Sequence, residues 1–245
     1  MSQSLPRLLL LTTSTLVACE PVLYRDVGEQ GLLRGYVYDD YTYIGEYAVL
    51  DTAELSVRDK AGEPTGEIAA PTADTPGYWQ VQVEPGQVVE FVVSAPDRLT
   101  TVRVTTGPTT LADFTPYVFP RAAEVIVPLF DELAAGLGTE DSTAFLAGEV
   151  GAFWMEPLNP SDWEGADISL MSNDGIAVPF IALADLGDGV ITESNGLQVD
   201  QLVAPAIPAG RVILTVTTAT GATVSQSWTV RAGELIDATW FHLPQ

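Results

Sequence analysis

One histidine, one cysteine and one lysine are spread over 245 residues, and that scarcity restricts the chemistry more than any motif does. A Ser-His-Asp site needs an imidazole held between its nucleophile and a carboxylate. The only imidazole is His242, which reads as a residue at the end of a strand. Neither a Gly-x-Ser-x-Gly elbow nor a His-Glu-x-x-His pair occurs. Gly136-x-Gly138 lacks the preceding strand and the third glycine of a dinucleotide loop, so it reads as a helix stop. A single Cys and a single His exclude zinc ribbons, two-histidine metal centres, disulfide frameworks and thiol redox pairs. Carboxylates remain. With 33 acids a paired-carboxylate hydrolase is conceivable, but no two acids are singled out by position. Asp185-Leu-Gly-Asp188-Gly189 with Glu193 offers oxygen ligands for calcium, yet lacks the alternating acids of an EF-hand loop and reads as solvated turn acids. We therefore expect no catalytic residue, no metal and no cofactor.

The residues best suited to recognition are aromatic. Tyr36, Tyr38, Tyr41, Tyr43 and Tyr47 account for five of the 8 tyrosines and stand among Asp39, Asp40 and Glu46. Leu33, Gly35 and Val37 alternate as the core face of a strand, which sends Tyr36 and Tyr38 to the other side. Exposed rings beside carboxylates can hold a sugar or a partner protein, so Tyr36, Tyr38, Tyr41, Tyr43, Asp39 and Asp40 form the candidate binding surface. The competing reading is an aromatic flap over a sandwich edge or over the joint between the two domains. A second aromatic group, Phe153, Trp154 and Trp163 with Glu156, Asp162 and Glu164, follows at the corresponding place further along.

Lys+Arg is 10 against Asp+Glu 33, a formal charge of −23, which repels phosphate backbones and excludes nucleic acid as a partner. The N-terminus carries Arg7 and an apolar run, Leu8 to Leu11 continuing to Leu16 and Val17, too short to span a bilayer and suited to the h-region of a secretory signal. Leu16-Val17-Ala18-Cys19 then resembles the lipobox of bacterial lipoproteins. That resemblance implies cleavage after residue 18, lipidation of Cys19 and a tether over 19–30. Cleavage removes Arg7 and no acid, so anionic headgroups add nothing and lipid alone holds the protein to its membrane.

The rest of the chain contains an internal duplication. Ala53 to Gly62 aligns with Ala166 to Gly175, a separation of 113 positions, and Leu33-x-Gly35-x-Val37 aligns with Leu146-x-Gly148-x-Val150 at the same separation. Gly86 to Ala95 aligns with Gly210 to Ala219, and Leu111 to Thr115 with Leu235 to Thr239, at 124 positions. The second copy therefore carries an insertion between Gly175 and Gly210. Short alternating runs broken by glycine and proline make each copy all-β, a sandwich of the Ig/transthyretin kind. We place the first at 31–120 and the second at 143–245. The segment 121–142 holds Leu129, Phe130, Leu133 and Leu137 at helical spacing, which predicts a short helix from about Pro128 to Leu137.

The order Gly35-x-Val37, Ala53-x-Leu55-x-Val57 to Gly62, Gly77-Tyr-Trp79 and Pro85-Gly86-x-Val88 resembles the carboxypeptidase-regulatory-like domain of the transthyretin-like group, and the second copy repeats it. The resemblance implies spacer, adhesion or carbohydrate-contacting modules without catalytic residues. Some related sandwiches cross-link a buried Lys to an Asn, but the only lysine, Lys60, falls in a turn and aligns with Asn173. The expectation is a non-catalytic lipoprotein of the cell envelope, anchored by lipid, most simply in the outer membrane, and contacting a glycan or an envelope protein; the alternative is a carbohydrate-binding module of the same fold.

Overall fold

Alternation of apolar and polar side chains, interrupted by positive-φ glycines, builds strands throughout, and the protein is all-β, with two helices among the described residues. The computed structural model describes residues 8–9, 31–38, 49–65, 67–69, 78–106, 120, 122–139, 142–157, 163–185, 190–193 and 199–238. Cys19, Asp39, Asp40, Tyr41, Tyr43, Tyr47, Asp188 and His242 lie outside them. The chain folds as two units, Val17–Leu129 and Phe130–Gln245, with Met1–Leu16 joining the latter. Although the leader was expected to stand apart, the two-residue strand β1 (Leu8–Leu9) pairs antiparallel with Val190 and Ile191.

The first unit contains β2 (Leu32–Tyr36), β3 (Glu54–Asp59), β4 (Glu67–Ala69), β5 (Tyr78–Gln82), β6 (Val88–Ser94) and β7 (Thr101–Thr106). One sheet runs β2-β5-β4 and the other includes β3-β6-β7. Their inner faces meet in a core of Leu33, Val37, Trp79, Val81 and Val83 from the first sheet and its flanks against Val57, Val89, Phe91 and Val93 from the second. The Trp79 and Phe91 rings are 4.8 Å apart at its centre.

Helix α1 (Ala123–Leu137) runs through the boundary between the units. It begins five residues before the expected Pro128, which is therefore an interior and exposed residue. Proline there removes one helical hydrogen bond, and the helix forms regardless because Ile126, Leu129, Phe130, Leu133 and Ala134 make one buried stripe. Leu137, expected to be buried with them, is half-exposed. A second helix that the sequence did not suggest, α2 (Ser142–Leu146), follows; the Asp131 carboxylate accepts the Ser142 N–H at 3.0 Å, and Phe130 meets Phe145 edge-on at 5.8 Å.

The second unit continues with β8 (Val150–Met155), β9 (Asp167–Ser172), β10 (Ile181–Asp185), β11 (Val190–Glu193), β12 (Gln201–Pro208), β13 (Gly210–Thr217), β14 (Thr223–Val230) and β15 (Leu235–Asp237). Its sheets are β11-β10-β12-β8-β15 and β14-β13-β9. The neighbour orders β8-β12-β10 and β9-β13-β14 reproduce β2-β5-β4 and β3-β6-β7, and β11 is the added strand of the insertion. The correspondence is closest at the corner after β3. Gly62 and Gly175 both have positive φ, +95° and +74°, and both donate N–H to the carbonyl three residues back at 3.0 Å. The Asp59 carboxylate accepts the Glu63 N–H at 3.0 Å, and the Ser172 hydroxyl accepts the Ile176 N–H at 3.2 Å in the same place.

Two details of the expected alignment are corrected. Gly35 lies inside β2, whereas Gly148 sits ahead of β8 at φ +71°, in the turn that follows α2. Gly86, at φ +81°, lies in the turn before β6, whereas Gly210, at φ +149°, is already the first residue of β13, and the inward residues are Val89, Phe91 and Val93 in β6 and Val212, Leu214 and Val216 in β13. Those are 123 positions apart, from Val89 to Val212, because the second copy has one residue fewer between the glycine and the first inward residue. A one-residue slip exchanges the two faces of a strand, so burial fixes the register that sequence similarity misplaced.

Candidate functional site

Strand pairing decides which tyrosines meet. Tyr36 is directly opposite Tyr78 on the β2–β5 ladder, and Arg34 is opposite Gln80. Directly opposed residues share a face, so Arg34, Tyr36, Tyr78 and Gln80 all stand on the side of that sheet turned away from Trp79 and Val81. The rings of Tyr36 and Tyr78 meet edge to face at 5.2 Å, and Tyr36 reaches Tyr38 at 6.0 Å. Tyr36 and Tyr78 are half-buried, while Tyr38 is only 7% exposed.

This corrects the expected display of rings. Tyr38 does point away from the core of the strand, but its bridge to Val49 brings the returning chain beside it, and the Val37 carbonyl accepts the Leu50 N–H at 2.9 Å. Tyr38 is thus part of the packing. Tyr78, by contrast, enters the sequence pattern only as the neighbour of Trp79. Its alternation with Trp79 and Val81 was the available signal that it shares a face with Tyr36. Among the described residues, the site comprises an edge-on Tyr36–Tyr78 pair flanked by Arg34 and Gln80. Such a surface can stack one sugar ring or one aliphatic side chain and hydrogen-bond its rim; it offers no nucleophile and no acid-base pair.

No protein-family model matches the chain, and no curated protein does. Among solved structures it is similar to the TIE protein of Bacillus anthracis, at 11% identity and a TM-score of 0.28, covering 86% of this chain and 33% of that one. It is also similar to a variant of BcpA, the major pilin subunit of Bacillus cereus, at 11% identity and 0.26, covering 85% and 70%. BcpA itself gives 12% identity and 0.19, covering 77% and 55%. The chain thus spans about a third of the first of these proteins. Likeness this slight carries no functional argument, and the resemblance to the carboxypeptidase-regulatory-like domain rests on the turn and core positions alone.

The remaining sequence candidates are structural where they are described. Phe153, Trp154 and Trp163 are each at most 1% exposed. Phe153 packs edge-on against Trp228 at 5.0 Å across the second sandwich, and the Trp154 indole donates to Glu156 at 3.1 Å. The second aromatic group is therefore core and not a recognition surface. Asp185 pairs with Ile191 and Glu193 with Leu183 on the β10–β11 ladder. Among the described residues no three His, Cys, Asp or Glu side chains gather to hold a metal, and no helix is long and apolar enough to cross a membrane. Lys60 is exposed at the corner after β3, and its counterpart Asn173 is exposed as well.

Proposed function

We propose that the protein is a non-catalytic interaction or spacer module of a bacterial cell envelope, held at the outer membrane by lipid on Cys19. The observation that carries this reading is Leu16-Val17-Ala18-Cys19, in which the chain's only cysteine occupies the lipidated position. Two β-sandwiches with the same strand order fit a module of this kind, and their scarcity of His, Cys and Lys fits a role without bond-making chemistry. Two or more acyl chains hold a protein durably where one does not, so the anchor needs no basic patch. Labelling cells with radioactive palmitate tests the anchor: the parent should take up label and sediment with membranes, and Cys19→Ser should do neither. A labelled or membrane-bound Cys19→Ser protein would overturn the reading.

The Tyr36–Tyr78 pair favours a second reading, a carbohydrate-contacting module. Tyr36→Ala and Tyr78→Ala together should then abolish retention on envelope glycans without unfolding the first unit. Unchanged retention would refute it.

A further inference from the structure

We propose that the outer edge of β14 is a two-fold pairing surface for a second copy of this chain. Among the described residues β14 is the last strand of its sheet, and all eight of its residues pair with β13 in unbroken register, from Gly210–Val230 to Thr217–Thr223. A long, regular edge of this sort is a template for another strand, and proteins usually blunt it with charge, proline or a bulge. Thr223 to Val230 contains none of these. Moreover, no acid occurs between Asp200 and Glu234, although the chain has 33; the charges in that span are Arg211 and Arg231. Two copies that repel elsewhere can approach here.

The sequence of the strand says which partner fits. Around Gln226, Thr223-Val-Ser-Gln-Ser-Trp-Thr229 is symmetric in chemical type: hydroxyl, apolar, hydroxyl, amide, hydroxyl, apolar, hydroxyl. An antiparallel copy centred on Gln226 would set Ser225 against Ser227, Val224 against Trp228 and Thr223 against Thr229, each pair occurring twice. That is the self-complementarity a closed two-fold interface requires.

The backbone parity agrees. Thr218 donates to the Ala222 carbonyl at 2.8 Å, which marks that pair as hydrogen-bonded. Pairs alternate along an antiparallel ladder, so Val224, Gln226 and Trp228 spend their backbone groups on β13. Thr223, Ser225, Ser227 and Thr229 stand in the other, closer pairs, as the hydroxyl contacts Thr215–Ser225 at 2.9 Å and Thr217–Thr223 at 3.2 Å confirm. Their N–H and C=O groups point outward. They lie symmetrically about Gln226, giving about eight backbone hydrogen bonds, two for each of four residue pairs. Gln226 also gains a purpose. It is opposite buried Leu214, on the core side of the strand, yet is exposed; across the dyad its amide meets its own copy.

The inference is independent of the lipid anchor, so the full chain carrying Cys19→Ser is the protein to test, and failure would leave the anchor reading untouched. Sedimentation equilibrium should show twice the chain mass. Ser225→Pro should weaken association at least tenfold while keeping the melting temperature, because the N–H it removes points away from β13. Register is read by oxidation. Gln226→Cys brings its thiol to the dyad in a close pair, with Cα atoms about 4.5 Å apart, and should give a disulfide-linked dimer. Ser225→Cys faces Ser227 and should give at least tenfold less. A chain monomeric at every concentration, a dimer indifferent to Ser225→Pro, or equal cross-linking of the two cysteine variants would each overturn the proposal. Capture of an extended segment of another protein by a monomeric chain would do the same.

Discussion

Replacing Tyr38 by Ala separates a ring that recognises from a ring that packs. Tyr38 is 7% exposed and lies 6.0 Å from Tyr36. A tyrosine buries about 150–250 Å², and truncating a buried aromatic to Ala costs about 3–5 kcal/mol. The phenol oxygen lowers the apolar share, so the expected loss is about 3 kcal/mol. For a unit of about 100 residues each kcal/mol moves the midpoint by roughly 4–8 °C, so the transition of the first unit should fall by roughly 12–24 °C. Tyr36→Ala and Tyr78→Ala, both half-buried, should each cost about 1 kcal/mol, mainly the edge-to-face contact. Scanning calorimetry on the full chain resolves this without assuming that both units melt together. A Tyr38→Ala shift below about 2 °C, or one smaller than that of Tyr36→Ala, would refute the packing assignment and return Tyr38 to the recognition surface.

Gly175→Ala should cost about 1 kcal/mol in chemical denaturation, because φ is +74° and nothing lies within 4 Å to clash; Gly175→Asn should cost less. Arg58→Met should destabilise the first unit by about 3 kcal/mol, since its guanidinium lies 2.8 Å from Glu90, a carboxylate only 2% exposed. The double variant Arg58→Met with Glu90→Leu should recover much of that loss in a thermal melt. Gly151→Ala should cost about 2 kcal/mol by urea titration, because the added methyl would lie 2.3 Å from Val230 Cγ1 and 2.6 Å from the Arg231 carbonyl oxygen.

The all-β class was legible because alternating runs and turn glycines recur along the chain, and at β3 and β9 the two copies have the same residue-by-residue burial, whereas the order of the strands within each sheet was not read. Register was less legible. Val88-Val89 beside Val212-Ile213 offers two apolar alignments, and only burial against Val57 and Leu170 distinguishes them. β7 shows the same ambiguity. Val102 and Val104 suggest an apolar inner side, yet Arg103 is opposite Phe91 and Thr101 opposite Val93, so the polar set shares the side of the core strand. The early start of α1 was hidden by Val125-Ile126-Val127, a β-branched run whose helical stripe emerges only when joined to Leu129 and Leu133. For the candidate site, alternation placed Tyr36 correctly, but the burial of Tyr38 depends on Val49 and Leu50 returning to that edge, which no local pattern encodes.

The shared corner after β3 and β9 has a consequence for recombination. Residues 53–65 and 166–178 have equal length, matching turn hydrogen bonds and the same bridge closing the corner, Arg58–Pro64 and Met171–Ala177. A segment with the same entry and exit geometry can be transplanted as a cassette. The stretch from Gly86 to Val93 cannot replace Gly210 to Val216 in the same way, because its surplus residue would invert every side chain after the turn. Chimaeras joined at the first corner should therefore fold, and those joined at the second should need one residue deleted at the turn.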